Sequence, residues 1–108
     1  MPPKRLSSFE LTPRATADLE DVWDYSAEAW SVAQADRYFE QLLETCALLG
    51  RNPKLGRERE ELSPRLRVFR CRSHLLLYVE VGSGIMVLGF PHVRTDWLNE
   101  DWDFSDLP

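Results

Sequence analysis

The chain has 108 residues, 44% of them hydrophobic and 29% charged, and a formal net charge of -5. That size suits one domain with a single core, and that composition excludes large-scale disorder. The negative balance argues against a nonspecific nucleic-acid binder, and no apolar run reaches the length of a membrane span.

The basic start MPPKR is not followed by an apolar region, so no signal peptide is indicated. Residues 8–11 fit a short edge strand. Thr12-Pro13 is a helix-start signal: an N-cap hydroxyl, then a proline whose missing N–H costs nothing at the first position. Asp18, Glu20 and Asp21 follow in the early turns, where the helix dipole favours negative charge. Ala15, Leu19, Val22, Trp23 and Ser26 keep helical spacing and predict one buried stripe, ending near Trp30.

Ser31 to Gln34 reads as a capping box that opens a second helix. Its stripe is Ala35, Tyr38, Phe39, Leu42, Cys46 and Leu49, and Gly50 and Pro53 close it. With almost no linker between them, the two helices predict an antiparallel hairpin. Each would be about 25 Å long, enough to lie across a small sheet. Cys46 and Cys71 form neither a CxxC nor a Cys/His zinc pattern. They are expected to be small hydrophobes in a reducing compartment. No metal or other cofactor is expected.

The connection NPKLGREREELSP, residues 52–64, is dense in both charges and punctuated by proline and glycine. It reads as a surface loop. Two antiparallel strands then fill residues 65–81 and meet near Ser73. Leu75, Leu77, Val79 and Val81 are expected to face a core, with His74, Leu76, Tyr78 and Glu80 on the other face. A third strand over residues 85–90 follows a glycine-bearing turn. Both of its faces are apolar, Ile85/Val87/Gly89 and Met86/Leu88/Phe90. That pattern fits a central strand or a second face that a partner covers. The fold class is therefore α+β: an N-terminal helical hairpin on one face of a small antiparallel sheet, in the order β-α-α-β-β-β.

Charge is uneven along the chain. Residues 12–30 carry one basic and five acidic side chains, residues 53–72 seven basic and three acidic, and residues 96–108 no basic and five acidic. The positive stretch suggests an anionic partner, or arginines that pair with nearby acids. The tail after residue 96 interleaves Trp97, Trp102 and Phe104 with acids. It is expected either to fray or to fold its aromatics onto an apolar patch.

Four segments carry a family resemblance. They are Leu11 to Tyr25 (LTPRATADLEDVWDY), Asn52 to Leu62 (NPKLGREREEL), Arg65 to Val79 (RLRVFRCRSHLLLYV) and Phe90 to Asp96 (FPHVRTD). In this order and spacing the chain resembles the ParE/RelE toxin superfamily, and specifically ParE. Departures are Arg65 for a usual glycine, Pro91 before His92, Thr95 for a methionine, and the acidic tail. The resemblance implies a toxin domain over residues 1–96 with a tail over 97–108. It also implies a cytoplasmic toxin of a type II toxin–antitoxin pair. Such a toxin acts on DNA gyrase without cutting nucleic acid, forms a hetero-oligomer with a ParD-type antitoxin, and does not itself bind specific DNA. RelE-like relatives instead cut messenger RNA on the ribosome, and a decayed toxin that only binds its antitoxin is a third possibility.

Binding needs an apolar surface rimmed by charge. The candidate antitoxin contacts are Trp30, Arg67, Arg72, Leu76, Tyr78, Met86, Leu88, Phe90 and Arg94. A nuclease would need acid, base and cations. On paper these are His74, Tyr78, His92 and Arg94. His74 and Tyr78 share a strand face but lie roughly 13 Å apart along it, too far for contact.

Overall fold

The computed structural model describes residues 8–62 and 65–105. The MPPKR start, Ser63-Pro64 of the charged connection, and residues 106–108 of the tail lie outside the described residues. In chain order the elements are strand β1 (Phe9–Leu11), helices α1 (Pro13–Ala29) and α2 (Val32–Arg51), and strands β2 (Arg57–Arg59), β3 (Leu66–Cys71), β4 (His74–Val81) and β5 (Gly84–Gly89). Single 3-10 turns span Pro53–Leu55 and Trp97–Asn99.

The caps set the helices. Thr12 accepts the Ala15 N–H and donates to the Leu88 carbonyl, both at 3.1 Å. Its backbone N–H also bonds the Val87 carbonyl. One residue thus starts α1 and ties that start to β5. Ser31 accepts the Gln34 N–H and starts α2. Each helix buries the expected stripe: Ala15, Leu19, Val22 and Ser26 on α1, and Ala35, Leu42, Cys46 and Leu49 on α2.

The α+β class and the helical hairpin stand as expected. The sheet is mixed, with strand order β1-β5-β4-β3-β2. The edge strand β1 runs parallel to β5, and the other pairs are antiparallel. Residues 57–59, expected in a loop, form β2 against β3. Their alternating charges hid that strand, because at a sheet edge a strand can keep charged side chains in water. β3 and β4 turn on Arg72-Ser73, and β4 and β5 on Gly82-Ser83.

The sheet carries a core on each face. Toward the helices, Leu76, Tyr78, Ile85, Val87 and Phe90 pack with the buried stripes. On the opposite face Leu66, Leu77, Val79 and Leu88 pack with Trp97, with Met86, Trp102 and Phe104 partly buried against them. Of the two readings of β5, the central strand holds, and of the two readings of the tail, the folded one holds: its aromatics cover the far face, which is not left bare for a partner. Leu76 and Phe90, expected there with Met86 and Leu88, belong to the helix side. Alternation holds along β4, with Leu76 and Tyr78 on the helix side and Leu75, Leu77, Val79 and Val81 on the other. It breaks only at Phe90, which lies past the register shift in the β4–β5 pairing and beyond the end of β5.

Candidate functional site

The positive stretch is mostly self-paired. Arg67 lies 3.0 Å from Glu80 and 3.7 Å from Glu58, and it also donates to the Gly56 carbonyl at 2.8 Å. Arg65 pairs with Glu58, Lys54 with Glu80, and Arg59 with Glu61. Among the described residues Arg37, Arg51, Arg57, Arg70, Arg72 and Arg94 have no ion-pair partner, and two of them, Arg37 and Arg72, border a hollow. Tyr78 is fully buried, and its hydroxyl donates to the Pro53 carbonyl at 2.7 Å and accepts the Gly56 N–H at 2.8 Å. A side chain on Gly56 would collide with that hydroxyl. Tyr78 and Arg67 therefore brace the 3-10 turn against the sheet. Leu76, Tyr78, Leu88 and Phe90 are each no more than 3% exposed, so they lie inside the chain rather than on a surface.

The free groups converge elsewhere. Where α1 gives way to α2, the hairpin opens over the β3–β4 turn and the segment after β5. A cavity of about 470 Å³ lies there, its lining including Val22, Tyr25, Trp30, Tyr38, His74, Phe90, Pro91 and His92. A second hollow of about 500 Å³ shares Trp30, Tyr38 and Ser73 and continues past Arg37 and Arg72. Tyr25 and Trp30 stand 68% and 62% exposed. Aromatic surface left in water beside unpaired guanidinium groups is the makeup of a recognition site.

A polar island sits in the middle of this groove. Backbone bonds between Leu75 and Pro91, and between Val93 and Ser73, bring residues 91–93 beside β4. They place the His74 and His92 rings edge to face, with centroids 5.2 Å apart. The Tyr38 hydroxyl lies 2.7 Å from His74 Nδ1, and it accepts the Ser73 N–H at 3.2 Å. Burial, and then the nearby His92, push the His74 imidazole down to about 4. It is neutral at pH 7, and the tautomer sets the bond: an unprotonated Nδ1 accepts the Tyr38 proton, whereas a protonated Nδ1 donates to the hydroxyl, which then donates to the Cys71 carbonyl at 3.2 Å. His92 Nδ1 accepts the Arg94 N–H at 3.1 Å. At the other end Asp18 accepts the Phe90 N–H at 2.9 Å, and burial raises its pKa.

The β3–β4 turn adds backbone strain. Arg72 has φ of 56°, the left-handed region that disfavours residues with a side chain. That strained residue holds its guanidinium 5.9 Å over the Tyr38 ring.

The structure thus brings Trp30, Arg72, His74, Phe90 and His92 to one groove and leaves Arg67, Leu76, Tyr78, Met86 and Leu88 out of it. Arg94 lies two residues beyond His92 in the chain and is not part of the lining of either hollow. Sequence reasoning missed Tyr25, Arg37 and Tyr38 as site residues. Tyr38 falls on the apolar stripe of α2, where a tyrosine reads as core, and only its hydroxyl reaches the histidines. The arrangement suits hydrogen bonding and apolar contact better than proton transfer. An imidazole held near 4 is a weak base at neutral pH, and the tyrosine expected as acid is committed elsewhere.

Comparison with known proteins agrees on one family. The family described as "ParE toxin of type II toxin-antitoxin system, parDE" matches residues 9–97. "Toxin ParE1" of Mycobacterium tuberculosis is 36% identical over 91 residues, 83% of this chain and 93% of that protein. "Toxin ParE1" of Caulobacter vibrioides is 32% identical over 87 residues, 81% of this chain and 90% of its own length. "Toxin ParE" of Escherichia coli is 30% identical over 92 residues, covering 84% and 89%. A solved structure titled "Chromosomal ParDE TA system from P. aeruginosa" shares the fold, with a TM-score of 0.70 at 19% identity over 84% of this chain and 100% of that one.

Proposed function

The chain belongs to the ParE toxin family of type II toxin–antitoxin systems, and from that premise we propose that it is a cytoplasmic toxin that inhibits DNA gyrase by binding and is held inactive by a ParD-type antitoxin. The observation that carries this reading is the family match over residues 9–97. The groove supplies a surface suited to it. Trp30 and Tyr25 offer aromatic contact, and Arg37 and Arg72 offer charge-assisted bonds to antitoxin carboxylates, with Arg94 two residues from His92 as a further cation. The toxin and antitoxin then form a hetero-oligomer, and the toxin makes no catalytic contribution.

The His74–His92 pair favours a second reading, a RelE-like ribosome-dependent messenger RNA endonuclease. Two facts weigh against it: His74 is held neutral, and the Tyr78 hydroxyl bonds the Pro53 carbonyl and the Gly56 N–H.

Induction of the chain in bacteria, followed by two readouts, tests the proposal. Gyrase inhibition gives loss of plasmid supercoiling and a DNA damage response, with messenger RNA intact. Messenger RNA loss with normal supercoiling, abolished in the His74→Gln/His92→Gln variant, establishes the endonuclease instead. Normal growth together with tight antitoxin binding identifies a decayed toxin.

A further inference from the structure

We propose that the sheet face opposite the helices is a docking surface for an acidic, aromatic-bearing peptide segment, closed in the free chain by its own tail of that chemistry. The face itself is Leu66, Leu77, Val79 and Leu88, and Trp97 is buried on it to 8% exposure. Trp102 and Phe104 pack partly buried against the same cluster. At the end of β5, a side chain on Gly89 would come within 2.7 Å of the Trp102 ring. The glycine leaves room for that indole. The rim is basic. Arg14 pairs with Glu100 and stacks 3.8 Å over Trp102, and Arg59 stands 5.6 Å over Trp97. Apolar floor, basic rim and an acidic aromatic occupant define what the face recognises.

The occupant is held in a way that permits release. Among the described residues, the backbone hydrogen bonds of residues 97–105 are local, and none joins a strand. The tail is fixed by side chains: three packed aromatics, the Arg14–Glu100 pair, and the Arg14 and Arg59 guanidinium groups over Trp102 and Trp97. A hollow of about 240 Å³ remains between Leu62, Leu66 and the tail. A segment with these attachments opens locally before the fold does. The family match ends at residue 97, so nearly all of this cover lies outside the matched region. A partner segment of the same chemistry gains the face only by displacing the tail. Its apparent affinity is then lowered by the fraction of time the face is closed. That linkage holds whether or not gyrase is the target.

A peptide test on the full-length chain separates the outcomes. The probe is a labelled synthetic peptide with the sequence of residues 96–105, DWLNEDWDFS. Its binding is measured by fluorescence anisotropy to the unmodified chain and to the Trp102→Ala/Phe104→Ala variant. The peptide is expected to bind the variant at least about tenfold more tightly, because the variant's own tail competes less. Equal affinity for both chains, or no binding to a variant that keeps its native circular dichroism, overturns the proposal. NMR on the unmodified chain keeps the test decisive if the variant does not fold. With an isotope-labelled chain and unlabelled peptide, saturating peptide is expected to move the indole N–H signals of the chain's own Trp97 and Trp102 toward solvent-exposed values and leave the methyls of Leu42 and Leu49 in place. Unmoved indole signals at saturating peptide overturn it.

Discussion

Arg72 and His74 stand two residues apart at the β3–β4 turn and make different demands on the fold. Arg72 sits at positive φ, which costs a residue with a side chain about 1 kcal/mol or more. A glycine there relieves that strain and removes the guanidinium. Arg72→Gly is therefore expected to keep or raise the melting temperature while weakening antitoxin binding about tenfold, roughly 1.4 kcal/mol. Calorimetric melting and titration with the antitoxin check both halves, and a lower melting temperature would show that the arginine is structural. His74 links the groove to pH. Its folded pKa is depressed from 6.5 to about 4, so the unfolded chain takes up this proton first as pH falls. The stabilisation is full above about pH 6.5 and is lost as pH drops toward 4. The gap amounts to at most roughly 3 kcal/mol, discounted to about 1–2 kcal/mol for the part of the ring that meets solvent. Asp18, whose pKa burial raises, acts in the opposite direction over part of the acid range. Urea unfolding at pH 7 and pH 4.5 is expected to show a smaller pH dependence in His74→Gln than in the unmodified chain.

Among the elements, α1 owes its position to one side chain. Thr12 caps the helix and also bonds the Leu88 carbonyl, so the start of the helix and the end of β5 move together. Thr12→Ala is expected to cost about 1–2 kcal/mol in denaturant unfolding. Thr12→Ser keeps the hydroxyl and should restore most of that loss. β2 shows why local pattern can fail. A three-residue strand of Arg57, Glu58 and Arg59 has no hydrophobic period to read, because its neighbour β3 supplies the pairing and water solvates its side chains. Of the two cysteines, Cys46 is buried as expected and Cys71 only partly so. Cys46 is fully buried, and burial first, then Cys71, pushes its thiol up to about 12. A thiol so rarely ionised is a poor nucleophile.

At the level of the whole molecule, one thin sheet is covered on both sides by unequal means. Two long helices cover one face and a short acidic tail covers the other. The tail's fate decides between fraying and folding. Deleting residues 98–108 is expected to lower stability by about 1–3 kcal/mol, the scale for re-exposing partly buried Trp102 and Phe104 and the surface beneath them. An unchanged melting temperature would mean that the tail is a frayed end. The same deletion should increase binding of the hydrophobic dye ANS, because the Leu66/Leu88 surface becomes accessible.

Read from residues alone, this chain declares its helical hairpin, its strand-rich second half and its family. Those follow from short-range chemistry: the Thr12 and Ser31 caps, the 3.6-residue stripes of Leu19, Val22, Leu42 and Leu49, and four motifs in order along the backbone. Tertiary structure alone decided which face of β4 meets the helices, since both faces are apolar, and it put Phe90 on the helix side, where the β4–β5 register shift breaks the two-residue count. It also decided which arginines remain free, because Arg67 meets Glu58 and Glu80 only across strands, and it built the Tyr38–His74–His92 cluster from three separate segments. Periodicity records what each residue does within its own element, whereas contacts between elements depend on how those elements are packed in space.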